Sequence, residues 1–260
     1  MNIYEIISKN SNDDIEKIKL LANFTQEILE KSFESIKSYQ TEIEIASNTI
    51  DITNKYMKNV MQKHDIINYG LAWNICPIVL TGVNLKNGGH SMPSDKKILP
   101  GDTIYFDFGI QATFKNGKNF YTDIQRMGYL LKKDEKQAPK QVEEVFNTLV
   151  LAIKNGIKKM KPGVKGYKID EIVRKEILSK GYPDYPHATG HPVGRGVHAG
   201  GAIIAPKYSK RAKISLVETG IYTLEPRIDI ENGGSIEEMI LVTKDGAIPL
   251  CNIQEKLYLI

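Results

Sequence analysis

The sequence predicts an α+β fold, and two observations carry that prediction. Four segments, 12–37, 41–63, 141–161 and 169–180, repeat apolar residues at the three-to-four spacing of an amphipathic helix. Two further stretches, 103–130 and 220–243, alternate apolar and polar residues and are punctuated by Asn-Gly turns, the pattern of antiparallel hairpins. No linker, internal repeat or low-complexity run separates them, so one domain over 1–260 is the economical reading.

In the first helix Ile15, Ile18, Leu21, Ile28, Leu29, Phe33 and Ile36 share a face. Ser11 or Asn12 caps it, and Asp13, Asp14 and Glu16 suit its positive end. Thr41-Glu42-Ile43-Glu44 is a capping box opening the second helix, with Ile45, Ala46, Ile50, Met57, Val60 and Met61 inward. His64 follows as a helix-end residue. Leu71–Ile75 and Ile78–Thr81 read as short strands around Pro77. The stretch 82–90 is a turn-rich loop ending in His90, and loops carrying histidine after a strand often line sites.

From Thr103 to Ile110, Ile104, Phe106, Phe108 and Ile110 face one way, and Tyr105 and Asp107 the other. A hairpin loop over 112–119 leads to a return strand, 121–130, in which Tyr121, Asp123 and Gln125 share a face. Asp107 and Asp123 are then neighbours on one sheet face. Aspartate is disfavoured in strands, and a buried carboxylate needs a cation. Either a metal supplies it, or these are surface aspartates bonded to Arg126 or to lysines.

The third helix, 141–161, stops at Pro162-Gly163, and the fourth, 169–180, ends on Gly181 as a C-cap. Gly201–Ala205 reads as a strand before a basic loop, 206–213. Strands follow at 220–226 and 235–243, carrying Glu225 and Glu237, and 247–260 closes the sheet.

Three of the five histidines fall within 187–198, at His187, His191 and His198, with glycines at 190, 194 and 196. Such glycine density excludes a helix and suits looping backbone with close approaches. Imidazole is both a common metal ligand and the usual acid/base group near neutral pH. The candidate set is thus Asp107, Asp123, His191, Glu225 and Glu237. Oxygen-rich ligation with one imidazole suits a pair of divalent ions, and Mn, Co, Fe and Zn all fit.

Composition narrows the alternatives. No apolar run approaches the ~20 residues of a membrane span, and the N-terminus lacks a leader pattern. Two cysteines, Cys76 and Cys251, make no disulfide framework; free thiols and a cytoplasmic location are expected. Net charge is +4, and the lysines at 153–167 and 206–213 have no aromatic ladder beside them, which argues against nucleic-acid binding. The oligomeric state is open.

The chain resembles the "pita-bread" metallopeptidases, which include methionine aminopeptidases, Xaa-Pro aminopeptidases, prolidases and creatinase. The resemblance runs from about residue 15 to the end. It rests on Gly101-Asp102-x-x-x-x-Asp107-x-Gly109, Asp123-x-x-Arg126, His187-x-x-Gly190-His191-x-x-Gly194-x-x-x-His198, Leu224-Glu225-Pro226 and Ile236-Glu237-Glu238. It implies a pseudo-two-fold α+β domain whose curved antiparallel sheet, backed by helices, holds two metals.

The resemblance further implies that Asp107 chelates one ion, Asp123 and Glu237 bridge both, and His191 and Glu225 complete the second. Glu225 would also shuttle a proton, and His198 would contact the substrate carbonyl. His90 would sit over the scissile amide, and His187 would be an outer or substrate-facing group of the Xaa-Pro branch. Peptides are the implied substrates, and removal of an N-terminal residue the implied reaction.

Four departures stand out. Asp107 and Asp123 are sixteen positions apart, where the family usually has eleven, and the extra residues fit the 112–119 hairpin. Ala199 replaces the usual acid, and Ser235 the arginine frequent in Xaa-Pro enzymes. No separate N-terminal domain of the creatinase type is expected. Methionine aminopeptidase is the first rival reading, favoured by Gly194-Arg195-Gly196 and the missing arginine. A non-catalytic binding module is the second, to be recognised by loss of a ligand.

Overall fold

The computed structural model describes residues 3–88 and 91–260. His90, expected at the scissile amide, lies outside the described residues. A short helix, α1 (Ile3–Ile7), precedes α2 (Asn12–Ser35) and α3 (Glu42–Val60). Ser11 caps α2 by accepting from the Asp14 amide, and the Thr41/Glu44 capping box of α3 is complete. His64 closes a single tight turn after α3 and packs edge-on against Phe24, 5.2 Å between ring centres, a structural role.

Six strands follow: β1 (Ile66–Leu71), β2 (Ile78–Thr81), β3 (Thr103–Phe108), β4 (Ile110–Phe114), β5 (Asn119–Tyr121) and β6 (Ile124–Tyr129). A second helix pair, α4 (Lys140–Lys159) and α5 (Gly166–Ser179), leads to β7 (Ile221–Leu224), β8 (Arg227–Ile228), β9 (Gly234–Ser235), β10 (Glu238–Val242), β11 (Ala247–Pro249) and β12 (Tyr258–Leu259). The order helix pair then strands therefore occurs twice.

Each half buries its own core. Ile18, Leu21 and Phe33 of α2 pack on Phe106 and Ile124 in the first. In the second, Leu149 and Ile153 of α4 and Val173 of α5 pack on Leu224 and Ile240. The sheet runs in short segments, β2-β3-β6-β12, β1-β4-β5, β7-β10-β11 and β8-β9. All pairing is antiparallel except β12 with β6. A bridge between Gln125 and Glu237 joins the halves.

Several strands differ from the sequence expectation, each for a local reason. The strand expected at 71–75 ends at Leu71, having begun at Ile66. Residues 72–77 form a turn containing a cis Cys76–Pro77 bond, and its Ala72 amide donates to Gly109 O (3.0 Å) instead of to a ladder. The strand expected across 103–110 breaks at Gly109, where a Cβ would lie 2.0 Å from Thr122 O and 2.8 Å from the Trp73 ring.

The return strand 121–130 is interrupted at Thr122-Asp123. There the Thr122 hydroxyl accepts from the Ile110 amide (2.9 Å) and pairs with the Thr25 hydroxyl (2.7 Å). The strand expected at 235–243 is interrupted at Ile236-Glu237, whose backbone turns to Gln125. Gly201–Ala205 forms no strand. Ile204 makes a single bridge with Gly190, and Arg211 draws Gly201 O away (2.8 Å).

Half of the 112–119 segment is ladder, and 115–118 is the loop. Its tip faces the N-terminal half of the helical layer: Lys115 pairs with Asp65 (2.6 Å) and Lys118 with Asp14 (2.7 Å). No residue of 112–119 lines the central cavity.

Candidate metal centre

The two halves meet at a cavity of about 400 Å³. Asp107 and Asp123 reach it from the first half, and His191 and Glu225 from the second. Glu237, fully buried, lies behind the wall. Asp107 is the cross-strand partner of Gln125, so Asp123, two residues before Gln125, falls on the same sheet face. The expected juxtaposition of the aspartates is therefore observed.

The histidine segment runs beside β7. Thr223 N donates to His191 O (2.8 Å) and Glu225 N to Thr189 O (2.8 Å). Gly190 permits this approach, because a Cβ there would stand 2.0 Å from Thr223 O. Farther out, buried Asp170 accepts from the Thr189 hydroxyl (2.6 Å) and from Arg174, which also holds His187 O (2.6 Å).

His191 Nε2 lies 3.6 Å from Asp123 Oδ2, 3.5 Å from Glu225 Oε1 and 3.8 Å from Glu237 Oε1. Nδ1 is 3.3 Å from Pro192 O, which can only accept, so the proton belongs on Nδ1 and the bare Nε2 faces the carboxylates. Ligand atoms of Asp123, His191 and Glu237 all lie within 4.8 Å of one another.

Electrostatics single this cluster out. Burial pushes the Asp107 carboxyl up to about 7. Burial and the charge of Asp107 push Glu225 up to about 8. Burial and neighbouring carboxylates raise Asp123 and Glu237 well above the usual range. Among the described residues no lysine or arginine forms an ion pair with any of the four. Arg126, a candidate partner for the aspartates, instead pairs with buried Glu238 (3.1 Å) and donates to Glu237 O (2.9 Å).

Asp107 Oδ1 and both carboxylate oxygens of Glu237 are buried with no hydrogen-bond partner among the described residues. Orphaned buried oxygens around one imidazole fit divalent cations, whose hard, oxygen-preferring chemistry they match.

His198 also lines the cavity, its ring centre 4.3 Å from that of His191. His187 does not. Its ring lies against Tyr185 (4.8 Å), and its Nδ1 contacts Ala188 O (2.8 Å), away from the cavity wall.

The structure adds residues that the sequence reading did not place in the site. Gln125 Nε2 donates to Glu225 Oε2 (3.3 Å), and its strand parity with Asp123 was the available signal. Trp73 and Ile75 reach the wall on the turn that crosses Gly109. Arg227, buried against the Tyr105 ring (4.9 Å), pulls the Asp107 and Glu225 carboxyls downward against the effect of burial.

Comparison with known proteins gives a consistent result. Residues 16–244 match the family described as Metallopeptidase family M24. An Xaa-Pro dipeptidase of Pyrococcus horikoshii is 32 % identical over 171 residues, 65 % of this chain and 44 % of that protein. An uncharacterized peptidase of Staphylococcus aureus (strain USA300) is 26 % identical over 250 residues, 95 % of this chain and 63 % of the relative. The chain spans 41 % of the length of one curated relative, a Bacillus subtilis peptidase, and 63 % of the Staphylococcus aureus one.

Among solved structures, an X-Pro aminopeptidase from Thermotoga maritima superposes with a TM-score of 0.82 at 26 % identity, over 99 % of this chain and 66 % of that one. A prolidase from Pyrococcus furiosus shares the fold, with a TM-score of 0.78 at 24 % identity over 97 % and 68 %. The α+β pita-bread architecture read from the motifs is borne out, and with its family matched over most of its length this chain belongs to metallopeptidase family M24.

Proposed function

We propose that this chain is a two-metal exopeptidase that removes the N-terminal residue of peptides, with Xaa-Pro substrates preferred. The observation that carries the reading is the buried carboxylate cluster of Asp123, Glu225 and Glu237 at His191 Nε2, in which both Glu237 oxygens, like Asp107 Oδ1 on the same cavity, have no hydrogen-bond partner among the described residues. The Xaa-Pro preference draws support from the names of the relatives, an Xaa-Pro dipeptidase and an X-Pro aminopeptidase.

Asp107, Asp123, His191, Glu225 and Glu237 would hold the ions. The ions, Mn, Co, Fe or Zn, would lower the pKa of an attacking water and polarise the scissile carbonyl. Glu225, steadied by Gln125, would act as the general base and then as the proton donor to the leaving amine, the work of a carboxylate whose basicity its surroundings tune. His198 donates to the charge developing on the carbonyl oxygen. Trp73, Ile75 and Val197 line the cavity and limit water.

The test is hydrolysis of Ala-Pro-Ala, Ala-Pro and Met-Ala-Ser by metal-stripped protein reloaded with Mn(II) or Co(II), beside a chelator control. Metal-dependent cleavage before proline is expected. Cleavage after methionine alone would replace the Xaa-Pro assignment, and no cleavage with metal confirmed bound would overturn the catalytic reading.

A further inference from the structure

The loop Gly194–His198 forms one wall of the cavity through Gly196, Val197 and His198, yet it belongs to no strand. It is pinned at both ends. Tyr121 N donates to Gly194 O (2.7 Å), and Ala199 N donates to Pro192 O (3.0 Å) while Ala199 O accepts from Arg211 (2.9 Å). Between these pins the Arg195 guanidinium reaches across to Asp14 Oδ2 (2.8 Å) in the first turn of α2.

Asp14 is 1 % exposed, whereas Arg195 is half exposed. Its other oxygen, Oδ1, accepts from Lys118 at the hairpin tip (2.7 Å). Burial alone would raise this carboxyl, but hydrogen bonds from Lys118, Arg195 and the Ser11 cap bring it down to about 2. One buried carboxylate thus ties together α2, the extended β4–β5 hairpin and the loop that carries His198.

We propose that Asp14 and Arg195 are positioning residues for His198, clamping its loop onto α2, and that Lys118 braces the clamp from the hairpin. The extra length between Asp107 and Asp123 then has a role outside the cavity: it delivers Lys118 to the second oxygen of Asp14. The proposal rests on the role given to His198 above.

Arg195→Ala is a clean test, because Asp14 keeps Lys118 on its other oxygen and no buried charge is stranded. Turnover of the metal-loaded enzyme should fall about tenfold or more with KM little changed, the pattern of a lost transition-state contact. Arg195→Lys should recover part of it. In a His198→Ala background the same substitution should cost less than about twofold, since a residue acting through another adds nothing once that one is gone.

Amide hydrogen exchange over 195–198 in the metal-free protein should rise, while the melting temperature stays close to that of the parent. Wild-type turnover in His198→Ala would overturn the role of His198 itself. An impaired His198→Ala beside an Arg195→Ala unchanged in turnover and exchange would overturn the clamp alone. So would an Arg195→Ala loss that is as large without His198 as with it.

Discussion

At the scale of single residues, His191 has the sharpest consequence. Its Nδ1 lies 3.3 Å from Pro192 O, which turns Nε2 toward the carboxylate oxygens as the one nitrogen among them. Metal affinity built on such a residue depends on the nitrogen lone pair and on the orientation fixed from behind. His191→Ala should therefore abolish peptidase activity and release bound metal, measured by elemental analysis of the purified variant; full metal content with wild-type turnover would mean that the centre is elsewhere. The four carboxylates and this histidine could be picked out of the sequence because acids in apolar strands, and glycine-spaced histidines, contradict the local pattern. Gln125 was visible only as a parity partner of Asp123. Trp73 and Arg227 were not visible, because their placement depends on a turn crossing Gly109 and on the packing of Arg227 against Tyr105 and Leu85 O, contacts between positions far apart in the chain.

At the scale of elements, the four long helices were read to within a few residues, because caps and apolar periodicity are local properties of the sequence, while the short α1 was not read. The strands were read as longer than they are. Each expected strand is interrupted at or beside its acid: at Gly109 after Asp107, at Thr122-Asp123, after Leu224, and at Ile236-Glu237. Regular pairing gives way there to single contacts: the Glu225 amide donates to Thr189 O and Glu237 pairs with Gln125, while Asp107 keeps its ladder between Ile78 and Gln125. Alternation of apolar and polar residues does not report such breaks, since parity survives them. The glycines of the histidine segment divide on the same physical ground. A Cβ at Gly190 would strike Thr223 O at 2.0 Å, a backbone atom that cannot step aside, whereas one at Gly196 meets nothing within 4 Å. Gly190→Ala should cost about 3 kcal/mol or more, seen as a lowered denaturant midpoint, and should weaken metal binding as His191 moves. Gly196→Ala should leave the midpoint within about 0.5 kcal/mol. Equal effects at both positions would contradict the close approach of the histidine segment to β7.

At the scale of the molecule, two independently cored halves are held together across a seam of like charge. Two carboxylates ~4 Å apart repel by roughly 4 kcal/mol at an effective dielectric of 20, and this seam gathers four of them with no lysine or arginine ion pair among the described residues. The metal-free fold meets that cost by holding protons: burial pushes Asp107 up to about 7, burial and the charge of Asp107 push Glu225 up to about 8, and burial with neighbouring carboxylates raises Asp123 and Glu237 well above the usual range. In the unfolded chain the same groups titrate near 4. Between about pH 4 and pH 8 the folded state therefore binds more protons than the unfolded state, so stability falls as pH rises through that window. With chelator present, the melting temperature should drop between pH 5.5 and pH 8. Even about 1 kcal/mol of this linkage corresponds to a shift of about 2–4 °C in a protein of this size. Saturating Mn(II) or Co(II) should reverse the slope, because a cation that displaces protons from the carboxylates binds more tightly as pH rises and stabilises the state it binds. A melting temperature that climbs with pH in chelator would show that the four acids are already neutralised by the protein's own cations. The seam would then hold the halves together without metal, and the centre would lose its physical reason for binding one.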